Sequence, residues 1–246
     1  MSMNPFILAL MVRGQTVQIH QHAAYQIAVS LGAPFTSVID GTVHNSITGF
    51  IIKPQVAHLC TVFEQTPLIL INVEPYSRAS LQLMSLFEPD QDIIVLPTPA
   101  DVHRYFAPFL HPNSLEWPLD IAHFLTTTRP NDQIDQRVQT IIRQIETHSG
   151  TNTLTPKVLA DQVFLSPSRM AALFKKETGS SVSKYLLWTR LRQAIVRTLT
   201  DRTRHLTEIA YETGFYDQAQ LNKYMYEMLG VSPRALKQNS DLIQVL

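Results

Sequence analysis

Cysteine is almost absent: Cys60 is the single one in 246 residues, so no internal disulfide can form and a reducing cytosol is the natural setting. Long apolar runs are absent too. The stretch Phe6 to Val12 falls far short of the ~20 residues that a membrane helix needs, and no basic segment precedes it as in a secretory leader. It reads instead as a buried first strand, and the protein is expected to be soluble and cytoplasmic. Net charge is missing as well, with 20 Lys and Arg against 20 Asp and Glu. Taken alone, that balance argues against a nucleic-acid partner. The average conceals an asymmetry: residues 1–130 hold five basic and nine acidic side chains, a balance of −4, while the remainder holds fifteen and eleven, a balance of +4. A basic module suits phosphate contact, and a slightly acidic neighbour does not compete for the same duplex. The surplus is modest, so moderate, salt-sensitive affinity is expected. With 45% hydrophobic residues the chain can bury a real core, and its length suggests two domains.

What is present is concentrated between Thr155 and Leu236, which reads as two helix-turn-helix units joined by one long helix. The first unit runs from Thr155 to Val163 and, after a short turn, from Ser166 to Gly179. The second runs from Leu206 to Phe215 and then from Asp217 to Gly230. Thr155-Pro156, Ser166-Pro167 and Ser232-Pro233 each place a capping hydroxyl before a proline at the first helical position, where no N–H is needed. Asp217 with Gln220 resembles a capping box. Gly179, Gly214 and Gly230 stand where helices should end. Apolar residues recur at helical spacing: Leu159 and Val163, Met170 with Leu173 and Phe174, Ile209 and Ala210, Leu221 with Met225 and Met228. Ile134 to His148 predicts a preceding helix with Val138, Ile141, Ile142 and Ile145 as its buried stripe. Ser183 to Leu199 predicts the joining helix, and its 17 residues span about 26 Å. With its neighbours, that length suits two recognition helices held about one DNA turn, roughly 34 Å, apart.

The order Leu159-Ala160, Ser166-Pro167-Ser168, Leu173 through Gly179, Tyr185-Leu186, Arg190-Leu191-Arg192, Ile209-Ala210, Gly214-Phe215, Asp217-Gln218 and Gly230-Val231-Ser232-Pro233 resembles the DNA-binding domain of AraC/XylS-type transcription regulators. The resemblance covers most of the C-terminal half. It implies duplex DNA as partner, with recognition-helix residues outside the core as the reading face. In the first unit these are Ser168, Arg169, Ala171, Ala172 and Lys175, and in the second Gln218, Asn222 and Lys223. Gln and Asn suit adenine edges, Lys suits guanine, and two alanines offer only a surface to a thymine methyl. The second helix is therefore expected to carry most selectivity and the first mainly to position the protein. Lys175, Lys176, Lys184, Arg190 and Arg192 are candidates for phosphate contact. Relatives often carry a long polar residue at the position of Ala172, and Tyr226 and Glu227 replace basic residues common in them.

The N-terminal half reads as strands: Val17–His20, Tyr25–Leu31, Phe35–Ile39, Phe50–Ile52, Leu59–Phe63 and Leu68–Val73, with Asp40-Gly41 as a hairpin turn. Many short strands suggest a small barrel or jelly roll. Gly14, His20-x-His22, Gln26 and Gly32 resemble the first cupin motif, and Gly49, Pro54 and His58 a degraded second one. On a strand His20 and His22 share a face, and His58 could join them, so the effector site is expected at His20, His22, Gln26 and His58. Three converging imidazoles could hold a divalent metal. Gln26 departs from the pattern, since the family's metal site uses a glutamate there. Cys60 reads as a core residue.

From Ser77 to Thr128 the pattern turns helical, with patches at Leu81, Met84, Leu86 and Phe87, at Val102, Tyr105, Phe106, Phe109 and Leu110, and at Leu119, Ile121, Ala122, Phe124 and Leu125. Arg129-Pro130-Asn131-Asp132 reads as a linker. The expected fold is α+β multidomain: a cupin-like sensing and dimerisation domain over 1–128, a linker over 129–134 and a DNA-binding domain over 135–246. The resemblance implies a cytoplasmic homodimeric activator or repressor, not an enzyme, that answers a small-molecule effector and acts through promoter occupancy or RNA polymerase recruitment. The alternative is a metal-dependent cupin enzyme or metal sensor fused to a DNA-targeting module.

Overall fold

Runs such as Leu68–Val73 are apolar at every position but one, which a strand tolerates only when both of its faces are covered. The computed structural model shows this arrangement. It describes residues 7–14, 18–61, 67–74, 80, 83–106, 134–150, 154–178, 180–201, 203–241 and 243–245. The strands are β1 (Ile7–Val12), β2 (Tyr25–Ser30), β3 (Phe35–Ile39), β4 (Thr42–Ile47), β5 (Gly49–Ile52), β6 (His58–Thr61), β7 (Leu68–Val73), β8 (Ile93–Leu96) and β9 (Ile243–Val245). They form a six-stranded sheet in the order β8-β5-β2-β7-β1-β9 and a three-stranded sheet in the order β4-β3-β6. Every pairing is antiparallel.

Register decides which side chains face the second sheet. Gln26 lies opposite both Ile52 and Asn72, and Ala28 opposite Phe50, so these residues share one face. Phe50 on that face meets Phe35 and His58 of the smaller sheet, with ring centroids 6.2 and 6.1 Å apart. The shared face is therefore the inner one. Ile27, Val29, Ile51, Ile69 and Ile71 occupy the other face and are buried as well.

Three differences from the sequence reading have physical causes. The described part of the expected strand Val17–His20 makes only a single bridge, His20 to His58. β4 was not anticipated because its residues are mostly polar and exposed, and it takes its form from pairing with β3 across the Asp40-Gly41 turn. β8 interrupts the segment expected to be helical; four apolar residues are too few to show a period, and pairing with β5 makes them a strand. The helix α1 (Pro99–Phe106) then follows, burying Val102 and Phe106. The expected patch at Leu119–Leu125 and the linker at Arg129–Asp132 lie outside the described residues.

The chain divides into two compact units, one of residues 1–130, 226–231 and 238–246, the other of residues 131–225 and 232–237. The helices after α1 are α2 (Gln136–His148), α3 (Pro156–Gln162), α4 (Pro167–Thr178), α5 (Val182–Thr200), α6 (Leu206–Glu212), α7 (Gln218–Leu229) and α8 (Pro233–Gln238). α2 buries the stripe Val138, Ile141, Ile142 and Ile145. α5 buries Tyr185, Trp188, Leu191, Ala194 and Ile195, and its 19 residues span about 28 Å. Caps fix the helix starts: Thr155, Ser166, Ser181 and Ser232 each accept an amide N–H three residues on, and Asp135 accepts that of Arg137.

Candidate functional site

The two helix-turn-helix units close their turns with the same backbone hydrogen bond. In the first, the Leu165 amide donates to Ala160 O at 3.0 Å, and in the second the Phe215 amide donates to Ala210 O at 2.9 Å. The residue before each donor is left-handed: Phe164 with φ 55° and Gly214 with φ 86°. At Gly214 only glycine fits, because an added Cβ would lie 2.4 Å from Ser149 O. Phe164 holds the same conformation with a bulky side chain that is 96% exposed. Past the turns, Met170 and Phe174 are buried on α4 as Leu221 and Met225 are on α7. These pairs set the correspondence of the two helices, in which Ser168 matches Ala219 and Ala172 matches Lys223.

Against that frame of buried pairs, Ser168, Arg169, Ala171, Ala172, Lys175 and Lys176 all lie exposed on α4. On α7 the exposed face is Ala219, Lys223, Tyr226 and Glu227. Gln218 and Asn222, read as exposed from spacing, are only half exposed. Gln218 Oε1 accepts from Thr207 Oγ1 at 3.0 Å, and Asn222 Oδ1 is a buried atom. Gln220 is used locally, accepting the Tyr216 amide at 2.8 Å while its own amide donates to Asp217 at 2.7 Å. Among the long polar side chains expected to read bases, Arg169, Lys175 and Lys223 are exposed. Ala219 and Tyr226 join the face, a placement that counting apolar positions along α7 would have allowed.

Two phosphate candidates are corrected. Arg192 is buried and pairs with Glu146 at 2.6 Å. Arg190 is half buried and its Nε donates to Ser149 O at 2.8 Å. Both stabilise the domain from within because α5 turns that side toward α2. Lys175, Lys176 and Lys184 remain on the surface.

In the first unit His20, His22 and His58 come together as the H-x-H spacing and the degraded second motif suggested. Their ring centroids lie 4.3 Å (His20–His58), 5.1 Å (His22–His58) and 5.8 Å (His20–His22) apart, and all three are buried. His58 sits on β6, while His20 and His22 lie on the segment between β1 and β2. Burial, with His20 close by, pushes His58 down to about 3; burial also lowers His20 and His22. Gln26 is buried on the inner face, and its Nε2 donates to Asn72 Oδ1 at 3.2 Å. Cys60, on the same strand as His58, is buried and its thiol is pushed up to about 12 by desolvation.

Residues 159–239 match the family described as a helix-turn-helix domain. The chain is 32% identical over 98 residues to the uncharacterized transcriptional regulatory protein YesN of Bacillus subtilis, covering 39% of this chain and 27% of YesN. It is 30% identical over 100 residues to the arabinose operon regulatory protein of Escherichia coli, covering 41% of this chain and 34% of that one. The matched region thus spans a third or so, or less, of the length of these two relatives. Over the whole chain the fold is similar to ToxT of Vibrio cholerae, with a TM-score of 0.56 at 12% identity over 97% of this chain and 99% of ToxT. A structure of ToxT with an unsaturated fatty acid bound gives 0.56 and 12% over 96% of each chain. The fold therefore pairs a cupin-like β domain with an all-helical domain carrying two helix-turn-helix units.

Proposed function

We propose that this protein is a sequence-specific, duplex-DNA-binding transcription regulator whose cupin-like domain takes a small ligand. The observation that carries the reading is the repeated turn with a solvent-facing helix after each one. Two such helices present Arg169, Lys175 and Lys176 on one side and Lys223 on the other, while their apolar sides are packed away. The arrangement supplies side chains for base edges together with cations for phosphates. Regulator relatives and the ligand-bound ToxT of the same fold support the reading. Such a protein works in the cytoplasm, as a homodimer on promoter DNA, and changes transcription by occupancy or by engaging RNA polymerase. Among the described residues no helix is long and apolar enough to cross a membrane.

Ligand entry at His20, His22, Gln26 and His58 would bias the protein toward one of two arrangements that differ in DNA affinity. Selection of duplexes from a random pool, followed by footprinting, tests the DNA half. Two protected segments about one helical turn apart are expected, with affinity that falls as salt rises. Equal retention of every sequence, or none in dilute salt, removes the reading.

A further inference from the structure

Within the helical unit, the two helix-turn-helix motifs and the first half of α5 enclose a cavity of about 350 Å³. The first motif supplies Leu159 of α3 to its wall, and α5 supplies Val182, Leu186 and Leu187. The second motif supplies Phe215 and, from α7, Tyr224. Leu159, Val182 and Phe215 are buried, so the floor is apolar, while Pro156, Ser183 and Lys184 are exposed and mark the mouth. The rings of Phe215 and Tyr224 have centroids 6.4 Å apart and give one wall an aromatic surface. Small-molecule sites have this make-up, an apolar hollow with a few polar groups at its edge, and begin at about this size.

The polar groups around the cavity are donors and cations. Lys184 and Arg190 line it, and no acidic side chain among the described residues does. The Arg190 guanidinium is half buried, with its Nε donating to Ser149 O. That burial pushes it down from its usual range by disfavouring the charge, a cost that an anion alongside would offset. Gln220 Oε1 accepts the Tyr216 amide at 2.8 Å, which leaves the Gln220 Nε2 donor without a partner among the described residues. The Ser183 hydroxyl is uncommitted in the same sense. Ser183 and Lys184 stand in the first turn of α5, where the partial positive charge of a helix start acts in the same direction.

We propose that this cavity binds a small aromatic organic anion, and that the occupant braces the interval between the two recognition helices. The ring system lies against Leu187, Phe215 and Tyr224, where flat apolar faces meet best, and the anionic head faces Lys184, Arg190 and the Gln220 amide. The bracing half rests on the regulator reading above; the site itself does not. One molecule in this place spans α3 of the first motif and α7 of the second, so their separation becomes harder to change. Inserting one base pair between two half-sites moves them apart by about 3.4 Å and also rotates them about the duplex axis. A braced protein follows that change less readily than an empty one, so occupancy sharpens the choice of half-site spacing.

The test uses the full chain and two fluorescent probes: 8-anilinonaphthalene-1-sulfonate, and N-phenyl-1-naphthylamine, which has the same ring system without the charge. Fluorescence titration should show the sulfonate binding about tenfold or more tighter than the uncharged probe. Lys184→Gln should weaken the sulfonate by about threefold or more and leave the uncharged probe as it was. Ser183→Trp, which fills the mouth from an exposed position, should remove both. Arg143→Gln, an exposed cation of α2 that does not line the cavity, should change neither. Lys184→Gln carries the test by itself where Ser183→Trp fails to fold. No binding by the wild type, or binding that both cavity variants retain, overturns the site. Equal affinity for the two probes overturns the anionic class. The bracing half is read from a pool-selected duplex and its one-base-pair insertion, with and without saturating sulfonate. The penalty for the insertion should grow by about fivefold or more, and an unchanged penalty with the cavity filled overturns the bracing. A chain that binds neither probe yet grips the duplex loses the site and keeps the regulator reading. A chain that binds the sulfonate and grips no duplex keeps the site and loses both the regulator and bracing readings.

Discussion

Arg192 and Glu146 lie 2.6 Å apart with side chains only 8% and 14% exposed, joining the middle of α5 to α2. The hydroxyls of Tyr185 and Thr189 donate to the other oxygen of the same carboxylate. Removing one member strands the other charge in a poorly solvated place. Arg192→Met or Glu146→Leu alone should therefore cost about 3–5 kcal/mol, read from urea unfolding, whereas the two together should recover much of that loss. Single losses below about 1 kcal/mol would mean that water already reaches the pair.

The equivalent turn positions Phe164 and Gly214 should respond with opposite signs. Phe164→Gly relieves a left-handed backbone bearing a side chain and should raise stability by about 1 kcal/mol. Gly214→Ala meets both the φ of 86° and the close approach of Ser149 O, and should cost about 2 kcal/mol or more. Thermal unfolding of the two variants checks the pair, and a shift of the same sign in both would sink the equivalence.

Base reading and phosphate contact separate by their sequence dependence. Arg169→Ala and Lys223→Ala should each relax preference at one base pair by about 1–3 kcal/mol. Lys175→Ala and Lys176→Ala should instead weaken binding evenly across sequences and lower the salt slope by about 1 each. Competition against single-base variants of the selected site measures both. A uniform loss for Lys223→Ala would move it among the phosphate contacts.

Cys60 should be silent to thiol reagents in the folded protein. Its thiol, pushed up to about 12 by burial, holds its proton at pH 8, and only the thiolate attacks. Labelling by a disulfide reagent should be complete in urea and negligible in native buffer over the same interval. Fast native labelling would show that β6 opens readily.

The helical half was legible because its signals are local. A hydroxyl before a proline, a glycine at a helix end and a stripe such as Val138, Ile141, Ile142 and Ile145 all act within a few residues of one another. The convergence of His20, His22 and His58 was also readable, since two of them sit two residues apart and the third follows in a motif-like position. What escaped the sequence depends on partners far along the chain. In the sequence Arg192 is like any surface cation on a helix, and its partner Glu146 lies 46 residues earlier. Spacing alone makes Asn222 and Gln218 exposed, but both are half buried, Gln218 against Thr207 of α6. β4 and β8 are strands because β3 and β5 pair with them, and nothing in their own four to six residues says so.

The pairing of β9 with β1 bears on how the protein can be handled in pieces. Leu10, Met11 and Val12 align with Val245, Gln244 and Ile243, so β9 seals the outermost rim of the first sheet. A severed N-terminal half would bare that rim's amides and carbonyls, which would then recruit neighbouring molecules into sticky aggregates.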